Sequence, residues 1–243
     1  MEPGPVGIIT GGLKGIGAAT AVEFGRLGAR VALMARSLSG SDELVERVRQ
    51  AGGEAICVSA DVRDALAHEA LVNDVLERWG RIDFLLANAG IADQSRIATG
   101  DPDHWRAVVE TNVLGVIYAA HAVLPTMIEQ GSGHVIIMSS VSGRESYVGE
   151  PVYIATKWAQ VGFSHALRLE LLEAGIRVTI VEPGLVDTPL TCDNPKVAPL
   201  LSECEPLTAQ DVASAVVYAF RQPDRVAVSE IVMRPQHQQL PRL

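Results

Sequence analysis

The sequence predicts an α/β fold: an open, doubly wound parallel sheet of seven strands with helices on both faces. Short, β-rich apolar runs alternate with longer helical patterns along the 243 residues. The runs are nearly continuous in apolar residues, as parallel strands covered on both faces require. One helical pattern fits between most successive runs, which is how a doubly wound sheet is built.

In order, the strands are VGIIT (6–10), RVALMA (30–35), AICVS (55–59), DFLLAN (83–88), HVIIMS (134–139), RVTIVE (177–182) and VSEIVM (228–233). Helices are expected near 15–28, 42–51, 64–79, 103–129, 152–174 and 208–221, with the fourth broken around Glu110–Thr111. No internal repeat, low-complexity tract or linker interrupts them, so 1–243 reads as one domain, and 48% hydrophobic residues suffice for a sizeable core. The long stretch without a clear element is 185–206, rich in Pro, Thr, Asp and Ser. It follows a strand's carboxyl end, where ligands of open α/β sheets bind. It therefore reads as a substrate lid, with an ordinary irregular connection as the alternative.

A formal charge of −9 without any Lys/Arg-rich run argues against nucleic acid and anionic membrane as partners. No apolar run approaches the roughly 20 residues that span a bilayer, and MEPGPVGIIT lacks a signal peptide's basic and apolar regions. A cytoplasmic location is expected. Cys57, Cys192 and Cys204 form no Cys-x-x-Cys, and the histidines are scattered, so neither a disulfide framework nor a metal site is expected.

The first strand runs through TGGLKGIG (10–17) into a helix. Glycines there let backbone N–H groups approach a pyrophosphate, and the positive end of the helix dipole faces the anion. The spacing of Gly11, Gly15 and Gly17 is Gly-x-x-x-Gly-x-Gly. A tight turn with no ligand is the bland alternative. The second strand ends in Ala35, Arg36 and Ser37, where an NAD-binding chain carries an acid for the ribose. Arg36 can pair with a 2′-phosphate, and Lys14 is a second cation in the loop, so NADP is favoured over NAD.

The whole chain resembles the short-chain dehydrogenase/reductase family, which implies a single Rossmann-type domain and hydride transfer. Its glycine motif falls on Thr10, Gly11, Gly15 and Gly17, and Gly12, Lys14 and Ile16 belong to the same cofactor loop. Its adenine-side acid falls on Asp61, followed by Val62, and its Asn-Ala-Gly on Asn88, Ala89 and Gly90. Its active-site residues fall on Asn112, Ser140, Tyr153 and Lys157. Its Pro-Gly is Pro183 and Gly184, with Val186 and Thr188 beyond on the nicotinamide side. MSSVSGR and SEIVMRP resemble the branch that includes clavulanate dehydrogenase.

Tyr153 and Lys157 are one helical turn apart and can address the same ligand. An unperturbed phenol titrates near 10, too high for a base at neutral pH. A nearby ammonium and an oxidised nicotinamide are expected to lower it. The resemblance implies that Lys157 also holds the nicotinamide ribose. Ser140 is expected to stabilise charge on the substrate oxygen, and Asn112 to position a water that relays the proton through Lys157. Ser139 and Ser142 compete with Ser140, but spacing to Tyr153 favours Ser140, and Ser142 is expected to cap a turn.

The substrate pocket is expected to involve Ile91, Ala92, Asp93, residues 142–150, Leu185, Val186 and the lid. Arg144 and Tyr147 are candidates for a carboxylate or an aromatic ring, Arg144 equally for a surface role. Apolar residues on more than one face of the helix at 152–174 suggest a homodimer or homotetramer. The leading expectation is an NADP-dependent carbonyl reductase/alcohol dehydrogenase acting on a small molecule. A 3-oxoacyl-thioester reductase shares every motif, but the net charge of −9 disfavours docking an acidic carrier protein. A catalytically silent NADP-binding sensor or scaffold would be expected to lack the tyrosine, lysine or serine.

Overall fold

In the computed structural model, which describes residues 4–194, 197–202 and 204–238, every expected β-rich run forms a strand of one parallel sheet. The strands are Val6–Thr10 (β1), Arg30–Ala35 (β2), Glu54–Ser59 (β3), Phe84–Ala87 (β4), Gly133–Met138 (β5), Ile176–Pro183 (β6), Val186–Asp187 (β7), Leu207–Thr208 (β8) and Glu230–Met233 (β9). The seven-stranded sheet has the order β3-β2-β1-β4-β5-β6-β9. Between them run Gly15–Gly25 (α1), Ser41–Ala51 (α2), Ala65–Trp79 (α3), Pro102–Val109 (α4), Gly115–Gln130 (α5), Pro151–Glu170 (α6), Pro189–Cys192 (α7) and Ala209–Phe220 (α8).

Alternation along each strand divides the core in two. Ile8, Ala32, Met34, Leu85, Val135, Ile137 and Ile180 face one layer, where residues of α3, α5 and α6 pack. Ile9, Val31, Leu33, Phe84, Leu86, Ile136 and Val181 face the other, with α1, α2 and α8. Successive strand residues point to opposite faces, so a strand buried on both sides must be apolar throughout. On the second layer Phe24 and Phe84 stack at 3.9 Å between ring centroids, and Phe220 meets both edge-on. Gly7 pairs with Phe84 across the β1–β4 ladder, and its lack of a side chain leaves room for that ring.

Helix starts follow local chemistry. Asp64 accepts from Leu66 N–H at α3, and Asp101 accepts from Asp103 N–H ahead of Pro102 at α4. Thr208 and Asp211 form a reciprocal capping box at α8. Helix α1 differs: Lys14 at its N-cap makes no side-chain cap bond, and no acid occupies its first turn.

Two expectations need correction. The expected break near Glu110 is instead a π-helical turn over Glu110–Leu114, which keeps α4 and α5 in one continuous run. That run, Pro102–Gln130, is long and apolar enough to cross a membrane by composition, with a mean hydropathy of 1.5 over its best window. Its apolar Val116, Ala119, Ala120, Val123 and Met127 pack on the sheet. Second, the stretch 185–206 carries structure. Strands β7 and β8 pair in parallel, and α7 and a 3₁₀ turn at Ala198–Ser202 lie between them. Residues 195, 196 and 203 of that expected lid lie outside the described residues.

A Cβ added at Gly7 would sit 2.1 Å from the Phe84 ring. Gly7→Ala is therefore expected to destabilise the fold by about 1–3 kcal/mol, as overpacking does. Urea unfolding of the two proteins measures it, and unchanged midpoints would contradict this packing.

Candidate active site

Between β1 and β4 the strand order reverses, and ligands of open α/β sheets bind at such a switch point. A crevice of about 830 Å³ opens there, beyond the carboxyl ends of the strands. Its walls combine the glycine loop, the end of β4, the end of β5, the start of α6 and the segment after β6.

The glycine loop is tied to β4. Thr10 Oγ1 accepts from Asn88 N–H at 3.0 Å and Ala89 N–H at 3.1 Å. Asn88 Nδ2 returns bonds to the carbonyls of Thr10 and Gly11, at 3.0 and 3.1 Å. Gly11 and Gly15 have φ of 62° and 51°, a left-handed backbone that favours glycine. A Cβ at Gly17 would come within 2.4 Å of Gly11 O. Gly12, Gly17 and Thr10 thus build the turn from behind, while Gly11, Lys14, Gly15 and Ile16 face the crevice. Across it, Thr188 stands where a Cβ on Gly15 would approach it to 3.3 Å.

The cationic end holds the exposed Arg36 and Lys14, both on the crevice wall. Asp61 is paired with Arg63 at 2.7 Å, which holds its carboxyl below the usual range. Ser37 accepts from Ser39 N–H, and Val62 is buried beneath Gly115. None of Asp61, Ser37 and Val62 lines the crevice in this arrangement, whereas Asn88, Ala89, Gly90, Pro183, Gly184, Val186 and Thr188 do.

The chemical end gathers Ser140, Tyr153 and Lys157 on one wall. Ser140 lies near enough to the phenol of Tyr153 to favour its ionised form. It also caps the turn Val141–Gly143 by accepting from Ser142 N–H, so the cap expected of Ser142 belongs to Ser140. Ser139 is buried and turns its hydroxyl toward Lys157 O. Burial pushes the Tyr153 phenol up to about 12, more than the nearby Ser140 brings it down. The expected lowering by Lys157 is therefore absent in the protein alone. The ammonium lies 5.5 Å from the Tyr153 ring centroid and is directed to Met138 O at 3.2 Å and Gln160 Oε1 at 3.1 Å. Burial pulls Lys157 down to about 7.

Asn112 lies wholly buried in the π turn. Its side chain bonds both the N–H and the carbonyl of Ile91, each at 2.9 Å, and donates to Thr156 Oγ1 at 3.1 Å. Its main-chain carbonyl accepts from Gln160 Nε2 at 2.7 Å. A buried chain Lys157–Gln160–Asn112 results. Gln160 and Thr156 were missed in the sequence reading. The signal was present, because Gln160 is three residues past Lys157 on the same helical face.

At the far end, Ala92 lines the crevice, and its carbonyl accepts from His104 Nε2 at 3.2 Å. Arg144 does not reach the crevice: its guanidinium pairs with the buried Glu182 at 2.7 Å and with Glu230. Tyr147 donates to Glu145 at 2.9 Å, and burial pushes its phenol up. Leu185 is likewise off the wall, its N–H donating to Gln238 Oε1 at 3.0 Å. Desolvation raises Glu150 to about 7, more than the nearby Gln94 brings it down. Gln94 in turn accepts from Asn194 of the segment after α7.

Residues 5–197 match the family model of the short chain dehydrogenases. The glycine betaine reductase of Emericella nidulans is 37% identical over 96% of this chain, which spans only 19% of that protein's length. An uncharacterised oxidoreductase of Staphylococcus saprophyticus is 36% identical, covering 95% of this chain and 97% of that one. Among solved structures, the closed form of a serine dehydrogenase complexed with NADP⁺ superposes with a TM-score of 0.90 at 30% identity, covering 98% of both chains. A metagenomic short-chain oxidoreductase in complex with NADP gives 0.84 at 30%, covering 97% of this chain and 99% of that one. With most of its length matched by the family model and nearly all of it by oxidoreductases of similar size, the chain belongs to the short-chain dehydrogenase family.

Proposed function

We propose that this protein is a soluble, cytoplasmic NADP(H)-dependent oxidoreductase that moves hydride between the nicotinamide and a small carbonyl or alcohol substrate. The observation that carries the reading is the gathering of Ser140, Tyr153 and Lys157 on one crevice wall, with Lys157 one turn behind Tyr153. These three groups can give a proton to, or take one from, an oxygen held beside them.

The crevice fits the dinucleotide. The uncapped N-terminus of α1 leaves backbone N–H groups open to a pyrophosphate. The left-handed Gly11 and Gly15 keep the loop free of side chains, and Thr188 faces it. Arg36 and Lys14 would hold a 2′-phosphate, and the NADP complexes of the structural relatives support that choice. When bound, NADPH supplies the hydride and NADP⁺ accepts it.

In reduction, Tyr153 donates its proton to the substrate oxygen while Ser140 hydrogen-bonds that oxygen. A phenol held near 12 stays protonated at neutral pH, which suits this direction. In oxidation, Tyr153 must first become phenolate. Lys157 would support that charge and hold the ribose of a bound cofactor, and Gln160 and Asn112 hold Lys157 in place. Residues 185–206 serve as the substrate lid. The exposed Leu169 and Leu172 at the far end of α6 and after it, 77% and 73% accessible, support a homo-oligomer.

Replacing Tyr153 by Phe should leave NADPH affinity within about twofold and lower turnover by roughly 10²–10⁴. Retained turnover in a carbonyl panel would refute the acid/base role. Arg36→Asp should move the ratio of kcat/KM for NADPH over NADH toward NADH by roughly tenfold or more, as expected for loss of a charge-assisted contact. An unchanged ratio would remove Arg36 from the phosphate site.

Lys157 gives a third test, on the cofactor-free protein. The native state releases this proton near 7, whereas an unfolded lysine holds it to about 10.4. In that interval the unfolded state binds more protons, so native stability should rise with pH from 7.5 to 9. Denaturant titrations across this window should show the rise in the wild type and a smaller one in Lys157→Met; equal slopes would contradict the depressed lysine.

A further inference from the structure

We infer that the substrate carries a positive charge, an ammonium or quaternary ammonium group beside its carbonyl or alcohol, and that Asp93 selects for it. The inference rests on the oxidoreductase reading above and names the substrate class of the same site.

Asp93 is only 4% exposed, yet it lines the crevice just beyond the Asn88-Ala89-Gly90 turn. Its carboxylate is held by a dedicated support. Both oxygens lie within reach of the Ser95 hydroxyl, at 2.7 and 2.9 Å, and Ser95 Oγ accepts from Trp105 Nε1 at 2.8 Å. Gly100 makes the support possible, because a Cβ there would fall 2.3 Å from the Trp105 ring and 2.6 Å from Ser95 Oγ. A hydroxyl has one proton to give, so Ser95 satisfies one carboxylate oxygen at a time. A buried carboxylate with a single donor lacks the partners that its charge requires.

Among the described residues, no cation fills that need by a hydrogen bond. His104 Nε2, half-exposed, makes only a long ion pair with Asp93 Oδ1 at 3.8 Å, charged only when the ring is protonated, and hydrogen-bonds Ala92 O at 3.2 Å. Lys14 and Arg36 belong to the phosphate end of the crevice, and Lys157 is directed to Met138 and Gln160. Arg144, the residue that would have received a substrate carboxylate, is committed to Glu182 and Glu230. Asp193, also on the crevice wall, adds negative charge. A metal ion is not the missing cation, since the described residues hold no group of three or more His, Cys, Asp or Glu suited to one. The wall that meets the non-reacting end of a substrate is thus acidic, with Tyr153 and Ser140 beside it.

With such a substrate the reaction balances as for any alcohol. The carbinol C–H leaves as hydride to NADP⁺, the O–H proton passes to Tyr153, and the aldehyde or ketone keeps its ammonium group.

Calorimetric titration of the NADP⁺-bound protein tests the charge preference directly. The probes are (2-hydroxyethyl)trimethylammonium, its uncharged carbon isostere 3,3-dimethylbutan-1-ol, and the anion 3-hydroxypropanoate. The expected order is cation tighter than isostere by about tenfold or more, and isostere tighter than anion. In Asp93→Asn the gap between cation and isostere should shrink to within about twofold. Equal affinities in the wild type, an anion bound tightest, no measurable binding of the cation, or a gap that survives in Asp93→Asn would each overturn the inference. Should the variant fail to fold, the wild-type order decides. NADPH absorbance with the corresponding carbonyl compounds reads the parent proposal separately. The expected binding order without turnover overturns the oxidoreductase reading, whereas turnover without the order overturns only the role of Asp93.

Discussion

The clamp between Thr10 and Asn88 is the constraint from which the site follows. One threonine hydroxyl accepts two backbone N–H groups from the end of β4, and one asparagine amide returns two bonds to the end of β1. These four bonds close the sheet at the point where its order reverses. They also set the height of the glycine loop over the crevice, since Gly17 must pass under Gly11 with no side chain between them. An apolar residue in place of either polar one would leave buried N–H or C=O groups unpaired, a larger loss than the bonds themselves.

A second tier of hydrogen bonds holds the chemical wall. The π turn widens the helix between α4 and α5, and it leaves the Asn112 carbonyl to the Gln160 amide. Gln160 uses its other end on the Lys157 ammonium, and Asn112 uses its side chain on Ile91, at the crevice wall. Three buried polar residues therefore connect α6, the π turn and the loop after β4. π turns recur where a helix must present a backbone group to a site, and this one presents a carbonyl. The cost of burying an ammonium is visible in Lys157, whose proton is loosely held in the cofactor-free protein.

Most of the fold was legible because burial on both faces leaves an unmistakable trace: VGIIT, RVALMA and HVIIMS allow no other element. The order of the chemistry-bearing residues was equally readable, since the glycine loop, the serine after β5 and the Tyr-x-x-x-Lys spacing are local patterns. What escaped was contact at a distance. Nothing near Arg144 announces Glu182 and Glu230, which take it away from the crevice. The phenol's upward displacement was hidden for the same reason, because desolvation is a property of the packed site. The π turn was read as a break, since a widened helix and an interrupted one look alike in apolar spacing. The short parallel pair β7–β8 gave no periodic signal, being two residues on each side.

The clamp residues Thr10 and Asn88 stand 78 positions apart in the chain. Closing the β1–β4 ladder joins strands that nearly a third of the molecule separates, at the entropic cost of a long loop. Parallel sheets with such distant pairings acquire their order slowly. The crevice joins segments from the glycine loop to Asn194, so a bound dinucleotide draws on strands from both halves of the chain.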